Sequence, residues 1–346
     1  MHPSTTPATK SDFAESPLLS ACCGARYALA TEAAHCTACG CHTDFRDGIL
    51  HLTERTETDL RSGNTFDLHL FRNKKRYYDR MITSEVEYVA LSHSVDFQRF
   101  HADLLAPYLQ EAVVADLGCG QLLYGDAFAC RGIKHYFGLD LDLPSLHLAK
   151  NGAPEGLKLT LVKQELGERL PFDDNAVDVV ISSEVIEHLD DPFKYLREIR
   201  RILKPGGVLS ISTPCGSMYL QPSSVLRAVK SPGRLAHWID RVNSHKHWSR
   251  ALEWHPALMP GIFKQWCESE GLLVLQQRTR LWYYGSRIQA SWRLFATLER
   301  IGFASAGKWF SRYLKLSDTI LDFGLPVVKW MGTRQFALCV KRNAFR

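Results

Sequence analysis

Short apolar runs alternate with helical stretches through the middle of the chain. Five of these runs end in polar or glycine-containing turns: Val113–Leu117, Tyr136–Leu139, Leu157–Val162, Val177–Ser182 and Val208–Ser212. The clearest helical stretch, Pro192–Leu203, is followed by a Lys-Pro-Gly-Gly sequence that stops a helix. Two late runs, Leu272–Leu275 and Phe336–Val340, add two more strands. Strands spaced by helices form βαβ units, so the pattern predicts an α/β fold with a doubly wound, mainly parallel sheet of seven strands.

Composition divides the rest of the chain into further segments. In chain order, the predicted segments are a flexible tail (1–17), a Cys-rich module (18–53), a linker with N-terminal helices (54–110), the sheet-forming core (111–280), an aromatic and basic helical insertion (281–332) and the last strand of the core (333–346).

Composition and charge narrow the class of protein. At 346 residues, with 45% apolar and 23% charged residues, the chain is typical of a globular protein. A net charge of +5 permits an anionic partner without requiring one. Residues 1–17 have no apolar core of the kind that export signals use, and no run approaches the roughly 18 apolar residues of a membrane span. We therefore expect a cytoplasmic protein.

Glycines and acidic residues stand where the predicted strands end. Asp116-Leu117-Gly118-Cys119-Gly120 ends the first strand, Asp140 ends the second, Glu165 follows the third, and Ser183 ends the fourth. Ligands of doubly wound sheets bind at the carboxyl ends of the strands. Glycines there let the backbone approach a ligand closely, and an acid such as Asp140 can accept hydrogen bonds from both hydroxyls of a ribose.

A dinucleotide site is the main competitor, because it also combines a glycine turn with an acid about 20 residues later. Its fingerprint, G-x-G-x-x-G, needs a third glycine for close packing of helix and strand. Here Gln121, Leu122 and Leu123 follow Gly120, so the third glycine is missing. Several acids without a phosphate clamp favour a ligand that has a ribose, an amine and a sulfonium cation.

Five motifs together resemble the core of class I S-adenosylmethionine (SAM)-dependent methyltransferases, of the type 11-like group. In order, they are Val114–Gly120, Phe137–Asp140, Leu170–Asn175, Val185–Leu189 and Leu203–Gly207. One glycine motif is a weak signal, but five in this order over about 100 residues are specific. The resemblance implies a Rossmann-like fold, SAM as the cofactor and methyl transfer as the reaction.

The resemblance also implies roles for individual residues. Asp116, Gly118 and Gly120 would line the methionine end of SAM, and Asp140 with Leu141 would hold the ribose. Glu165 with Leu166 would flank the adenine, and Ser183 would make a contact at the end of the fourth strand. For Glu165, an exposed loop acid is the alternative. The chain departs from many members of the family at Leu122, where they have a further glycine.

The N-terminal cysteines suggest a metal site. Cys36-Thr37-Ala38-Cys39-Gly40 has the spacing of a zinc knuckle, but upstream Ser20 occupies the first ligand position of a second knuckle that ends at Cys23-Gly24. The segment resembles the small zinc-ribbon modules that precede some methyltransferase domains. This implies a structural zinc ion held by Cys22, Cys23, Cys36 and Cys39, with Cys41 or His42 as substitutes. The alternative is a ribbon that has lost its metal.

Two histidines are candidate general bases for the methyl acceptor. His188 follows the fourth predicted strand, and His255 lies in Trp254-His255-Pro256 before a late helix. For both, a capping or packing role is the competing interpretation. Methyl transfer itself needs mainly positioning, because the leaving group is already activated by its charge.

Three functions compete for the whole chain. The first is a methyltransferase acting on a small molecule, such as a lipid-linked, quinone-like or glycan acceptor. The second is an RNA methyltransferase that docks through the ribbon, although the modest net charge argues against nucleic acid. The third is a non-catalytic SAM-binding module. Aromatic and basic residues in 281–332 suggest an acceptor lid, a membrane-surface patch or a dimer contact, with ordinary core packing as the default. Among the three functional interpretations, the acceptor lid is favoured.

Overall fold

The computed structural model describes residues 14–20, 24–29, 33–53, 102–122, 125–129, 131–215, 229, 232–234, 259–280, 290–322 and 334–342. The strands in these ranges are β1 (Ala14–Leu19), β2 (Arg26–Leu29), β3 (Ala33–Cys36), β4 (His42–Arg46), β5 (Ile49–His51), β6 (Val113–Leu117), β7 (His135–Asp140), β8 (Leu159–Lys163), β9 (Val177–Ser183), β10 (Leu203–Pro214), β11 (Leu272–Arg280) and β12 (Arg334–Lys341). The helices are α1 (Gly125–Ala129), α2 (Leu143–Asn151), α3 (Pro192–Ile202), α4 (Pro260–Ser269), α5 (Ala290–Arg300) and α6 (Ala306–Asp322).

All twelve strands join one hydrogen-bonded sheet in the order β1-β2-β3-β4-β5-β8-β7-β6-β9-β10-β12-β11. The strands from β5 to β10 are parallel to one another, and β12 is antiparallel to both of its neighbours. The predicted α/β, Rossmann-like architecture is confirmed. The predicted count of seven strands is too low for the described residues, because five N-terminal strands extend the same sheet.

Successive side chains of the central strands point to opposite faces of the sheet, and both faces are covered by helices. In β9, Val180 packs with Leu196 of α3 and Phe263 of α4 on one face. Val179 points to the other face and packs with Leu146 of α2. A strand buried on both sides has to be almost continuously apolar, which is the reason that these runs are visible in the sequence.

The two best-defined helices begin and end where local chemistry dictates. The carboxylate of Asp142 accepts from the backbone N–H of Ser145 and caps α2. The carboxylate of Asp191 accepts from the backbone N–H of Lys194 at 2.8 Å and caps α3. Pro192 takes the first position of α3, where its missing N–H costs nothing. The helix α3 ends at Ile202, one residue before the predicted end.

The N-terminal unit, residues 14–53, is built into the sheet. Strand β5 pairs in parallel with β8, with Ile49 opposite Leu161. The first strand of the N-terminal unit, β1, begins at Ala14, inside the range 1–17 that was predicted to be a tail. The buried side chains Leu18 and Tyr27 belong to the same apolar cluster as Phe137 of the central sheet. The unit therefore shares one core with the rest of the protein.

Strand β1 also runs beside the β8–β9 segment, residues 164–176. The backbone N–H of Leu19 donates to the carbonyl of Pro171 at 2.9 Å, and the N–H of Asp173 donates to the carbonyl of Pro17 at 3.1 Å. The side chain of Arg26 forms an ion pair with Asp173. The β8–β9 segment is thus held along its outer side by the N-terminal unit.

The helix α3 holds the same segment from the other side. The guanidinium of Arg201 donates to the backbone carbonyls of Leu170 at 2.8 Å and Phe172 at 2.7 Å. It also pairs with Glu198, whose carboxylate accepts from the N–H of Leu170. The connection between β8 and β9 is therefore fixed by side chains that the sequence pattern alone does not link to it.

The described part of the predicted insertion consists of α5 and α6, which form a helical hairpin. Ala306, Phe310 and Leu314 of α6 pack against Phe295 and Leu298 of α5 in a small apolar cluster of their own. The helix α6 also lies against β11, the outer strand of the sheet. Within the described ranges, no helix combines the length and the apolar character that a membrane crossing requires.

We expect Leu18→Ala to destabilise the whole protein, because Leu18 is fully buried against the β8–β9 segment. Truncating a buried leucine costs about 2–5 kcal/mol of unfolding free energy. The neighbouring Leu19→Ala is the matched control, since Leu19 is only partly buried and should lose less than half as much. Urea denaturation measures both. Equal losses, or an early separate transition for Leu18→Ala alone, would show that the N-terminal unit does not share the core.

Candidate functional site

The turn that follows β6 has to be glycine at its first position. Gly118 has φ +80°, and a Cβ built on it would lie 2.3 Å from Cγ2 of Val185. The N–H groups of Gly118 and Cys119 both donate to the carbonyl of Leu139 at the end of β7. The turn is thereby bound to the neighbouring strand, and any side chain at position 118 would collide with Val185.

Asp140, at the end of β7, ties the glycine turn to the next helix. Its Oδ2 accepts from the N–H of Gly120 at 2.8 Å, and its Oδ1 accepts from the N–H of Asp142 at 2.9 Å. Burial of the carboxyl raises the pKa of Asp140, while these backbone donors oppose the rise. These two donors and the backbone of Leu141 use part of the acceptor capacity of the carboxylate, and the remainder is available to hydroxyl groups of a ligand.

Open space lies above Gly120, although its φ of +53° is left-handed like that of Gly118. Among the described residues, and apart from Gly120 and its chain neighbours, no atom lies within 4 Å of the position that a Cβ would occupy on Gly120. Because glycine has no side chain, the backbone at Gly120 stays accessible. The space is available to a ligand that runs from the turn toward Asp140.

The residues after β8 close the site from the side. The N–H of Gln164 donates to the carbonyl of Asp140 at 2.9 Å, which brings Glu165 and Leu166 beside the end of β7. Cδ1 of Leu166 lies 3.8 Å from the Cβ position of Gly118. The predicted adenine contacts are thus adjacent to the glycine turn and to the predicted ribose acid.

Asp116 is a buried carboxyl with one oxygen unused. Its Oδ2 accepts from the hydroxyl of Tyr136 at 2.6 Å, while its buried Oδ1 has no hydrogen-bond partner in the described part of the chain. Burial raises the pKa of Asp116 to about 7, the hydrogen bond from Tyr136 lowers it in part, and the charge of Asp140 adds to the rise. A buried polar atom without a partner is costly, so a cationic or donor group of a ligand would stabilise it.

Leu122 replaces the usual glycine without opening the turn. Its φ is +61°, a left-handed conformation that costs a branched residue about 1 kcal/mol or more. The side chain is buried and lies over Gly125, where a Cβ would be 2.9 Å from Cδ2 of Leu122. Gly125 therefore makes the room that the side chain of Leu122 needs.

The ends of β9, β10 and β12 form a second group of polar side chains. Oε2 of Glu184 lies 2.5 Å from Nε of Arg334, and Oε1 of Glu184 accepts from the hydroxyl of Ser212 at 3.2 Å. That hydroxyl is also 3.0 Å from the hydroxyl of Ser183. Glu184 has φ +58°, so this arrangement is maintained against backbone strain.

Glu187 is buried directly behind this group. Its Oε2 accepts from the hydroxyl of Thr213 at 3.0 Å. Burial and the neighbouring charge of Glu184 raise the pKa of Glu187 well above its usual value. His188 is half-buried, with Nε2 3.9 Å from Oε1 of Glu187. Glu187 is therefore a buried hydrogen-bonding group that holds its proton more tightly than an exposed glutamic acid does.

The predicted cofactor residues lie together at the carboxyl edge of β6, β7, β8 and β9: Asp116, Gly118, Gly120, Asp140, Leu141, Glu165, Leu166 and Ser183. Their individual contacts with a cofactor stay predictions. Of the two predicted bases, His188 lies at the end of β9, and His255 lies outside the described residues.

Three residues of the candidate site were not assigned a role from the sequence. Tyr136 binds Asp116 across two strands, and Arg334 reaches Glu184 from the last strand of the sheet. Glu187 is the third, although it appears in the motif Val185–Leu189. The i, i+3 spacing of Glu184 and Glu187 after a predicted strand was the one available signal for this group.

The N-terminal cysteines do not complete a zinc site within the described residues. Cys36 is buried, and its Sγ accepts from the hydroxyl of Ser20 at 3.3 Å, whereas Cys39 is exposed. No group of three or more metal-ligating side chains occurs in the described ranges. Cys22 and Cys23 lie outside them, so zinc binding stays a prediction.

We expect the stability difference between Asp116→Asn and the wild type to depend on pH. A carboxyl with a pKa of about 7 when folded and about 4 when unfolded keeps its proton in the folded state between those values. Wild-type stability therefore falls as pH rises from about 4 to about 7, by up to about 4 kcal/mol. Urea denaturation of both proteins at pH 5 and pH 8 should show the variant gaining relative stability at pH 8. The same difference at both pH values would contradict the assignment.

Comparison with known proteins agrees with this geometry. Residues 115–211 match the family model described as a methyltransferase domain. A Mycobacterium tuberculosis protein described as a probable S-adenosylmethionine-dependent methyltransferase is 34% identical over 122 residues, which are 35% of this chain and 41% of that protein. A ubiquinone biosynthesis O-methyltransferase from Cereibacter sphaeroides is 28% identical over 174 residues, 50% of this chain and 66% of that protein.

Among solved structures, an S-adenosylmethionine dependent methyltransferase from Mesorhizobium loti overlaps 69% of this chain and 95% of its own, with a TM-score of 0.42 and 16% identity. The chain spans about two fifths of the length of the Mycobacterium tuberculosis relative and about two thirds of the length of the Cereibacter sphaeroides relative. The matched residues begin in β6 and end in β10, and they include the glycine turn, Asp140 and the end of β9. Residues 115–211 of this chain are therefore similar to methyltransferase domains.

Proposed function

We propose that the protein is a SAM-dependent methyltransferase acting on a small-molecule acceptor. The observation that carries the proposal is the Asp140 carboxylate, which holds the N–H groups of Gly120 and Asp142 at the carboxyl edge of the sheet and has further acceptor capacity. Vicinal hydroxyls, as on a ribose, would use that capacity. Oδ1 of Asp116, which has no hydrogen-bond partner among the described residues, suits the ammonium group at the other end of SAM.

The chain's own residues would mainly orient the reactants. SAM, when bound, supplies a methyl group on a sulfonium centre, which needs little further activation. The glycine turn and Asp140 would fix the position of the cofactor, and Leu166, 3.8 Å from the Cβ position of Gly118, would cover it on one side. Positioning of this kind can account for most of the rate in a bimolecular transfer.

The acceptor would enter at the ends of β9, β10 and β12. These strands follow β6 in the sheet on the side away from β7 and β8, which carry the predicted ribose and adenine contacts. The Glu184–Arg334 pair offers both a carboxylate and a guanidinium to a polar acceptor. His188 is the proposed base for the acceptor proton, with its Nε2 3.9 Å from Oε1 of the buried Glu187.

We propose a lipid-linked, quinone-like or glycan acceptor. The name of the Cereibacter sphaeroides relative, ubiquinone biosynthesis O-methyltransferase, supports the quinone-like option. An RNA acceptor remains an alternative outcome of the assay. For the location, we propose the cytoplasm. There the α5–α6 hairpin would lie at the surface of a membrane.

Asp140→Ala should abolish SAM binding. The change removes the ribose acceptor and the acceptor of the Gly120 N–H, and we expect affinity to fall about 100-fold or more. Calorimetric titration with SAM and with S-adenosylhomocysteine measures this. The matched control is Asp191→Ala, which also removes a carboxylate bonded to a backbone N–H but caps α3 instead. The control should bind SAM normally and lose about 1 kcal/mol of stability.

Two results would contradict the proposal. Normal SAM binding by folded Asp140→Ala would mean that the cofactor site is elsewhere. If the folded wild type bound neither SAM nor S-adenosylhomocysteine, the protein would not be a SAM-dependent enzyme.

Formation of S-adenosylhomocysteine with candidate acceptors tests the reaction itself. We expect turnover with a prenylated catechol, a lipid-linked saccharide or a free glycan, and none with duplex or single-stranded RNA. His188→Gln should lower kcat by about 100-fold for a hydroxyl acceptor with little change in SAM affinity, because a base acts only on the acceptor proton. An unchanged pH profile in His188→Gln would assign the histidine to packing. Turnover with RNA alone would replace the small-molecule proposal.

A further inference from the structure

The helix α6 exposes a strip of apolar side chains beside its buried face. Ala306, Phe310 and Leu314 face α5, but Trp309 and Leu316, seven residues apart, are 51% and 60% exposed. Because each residue turns an α-helix by about 100°, residues seven apart lie on one face. Tyr313 falls between Trp309 and Leu316 on the same strip and is also exposed.

The end of the hairpin continues the apolar surface. Ile301, in the turn between α5 and α6, is 75% exposed, and Phe303 two residues later is also exposed. On α5, Leu294 is exposed as well. Single exposed apolar residues are common on protein surfaces, but six on one helical hairpin make a patch of the kind that marks a contact.

A basic strip lies directly beside the apolar one. Lys308, Arg312 and Lys315 are exposed and repeat with the same i, i+4, i+7 spacing as Trp309, Tyr313 and Leu316, one position earlier. The guanidinium of Arg312 lies 5.2 Å from the ring centroid of Trp309. Between residues 294 and 316, Arg300 adds a fourth positive charge and Glu299 is the one acidic residue.

Charge decides which partner fits this surface best. An anionic lipid surface complements the basic strip while the acyl boundary takes up the apolar strip, which is the arrangement of helices that lie in a membrane interface. A second copy of this hairpin would bring the same positive charges into contact, which is unfavourable. A lid over a small acceptor would use the apolar strip and give the basic strip no role.

We propose that the α5–α6 hairpin docks on the surface of an anionic membrane. The turn at Ile301 and the strip from Trp309 to Leu316 enter the boundary between headgroups and acyl chains. Lys308, Arg312 and Lys315 contact the anionic headgroups. This inference does not depend on methyl transfer, although a membrane-bound acceptor would be presented to the same protein.

Vesicle flotation of the full chain, without SAM, tests the proposal. We expect binding to phosphatidylcholine vesicles that contain phosphatidylglycerol, and weak binding to phosphatidylcholine alone. Trp309→Ser with Leu316→Ser should weaken binding about tenfold or more, because both apolar contacts are lost. Lys308→Gln with Arg312→Gln and Lys315→Gln should remove the preference for anionic vesicles and the sensitivity to salt.

Tyr108→Ser provides a matched control for Tyr313→Ser. Both tyrosines are 37% exposed, but Tyr108 lies before β6, outside the hairpin. Only Tyr313→Ser should reduce vesicle binding. The proposal is overturned if the wild type does not float with anionic vesicles, or if the hairpin variants float as well as the wild type. A change of oligomeric state without a change in flotation would identify a second copy as the partner and would also overturn it.

SAM titration of the same variants separates this proposal from the proposed function. The hairpin variants should bind SAM like the wild type, because none of the changed residues lies near Asp140 or Gly120. Loss of vesicle binding with intact SAM binding supports docking. Wild type that binds SAM but no vesicles overturns docking and leaves the methyltransferase proposal standing.

Discussion

The hydrogen bond from Gly120 to Asp140 determines how the candidate site is organised. It fastens the turn after β6 to the end of β7, while the second oxygen of Asp140 fixes the loop that begins α2. The backbone carbonyl of the same residue receives the N–H of Gln164 and brings in the end of β8. Three strand ends are therefore aligned through one residue. A ligand that meets Asp140 meets a surface that is already assembled.

The surroundings of this residue are rigid for reasons that lie farther away. The β8–β9 segment is held between β1 and Arg201, and its Phe172 stacks edge-on against Phe137 of β7 with ring centroids 5.6 Å apart. The N-terminal unit thus stabilises a connection that begins next to the candidate adenine contacts. Its contribution is mechanical support of the cofactor side, whether or not its cysteines hold a metal ion.

Local patterns predicted the central sheet and the acids at its edge, because burial on both faces makes strands apolar and parallel strands end together. They could not predict the pairing of Ile49 with Leu161, since a three-residue strand such as β5 has no periodicity to read. They also missed the contact of Glu184 with Arg334, which joins residues far apart in sequence. Leu122 stands where many members of the family have a glycine, and the space beside Gly125 accommodates its side chain.

The late pairing of β5 has a consequence for folding during synthesis. The N-terminal unit leaves the ribosome first, but its partner strand β8 is made only after the central β6 and β7. Until then the edge of β5 is unpaired, and an unpaired edge can join the wrong chain. Such distant contacts form slowly because a long loop must close first. The shortness of β5 limits that hazard, and completion of the sheet is expected to be among the last steps in folding.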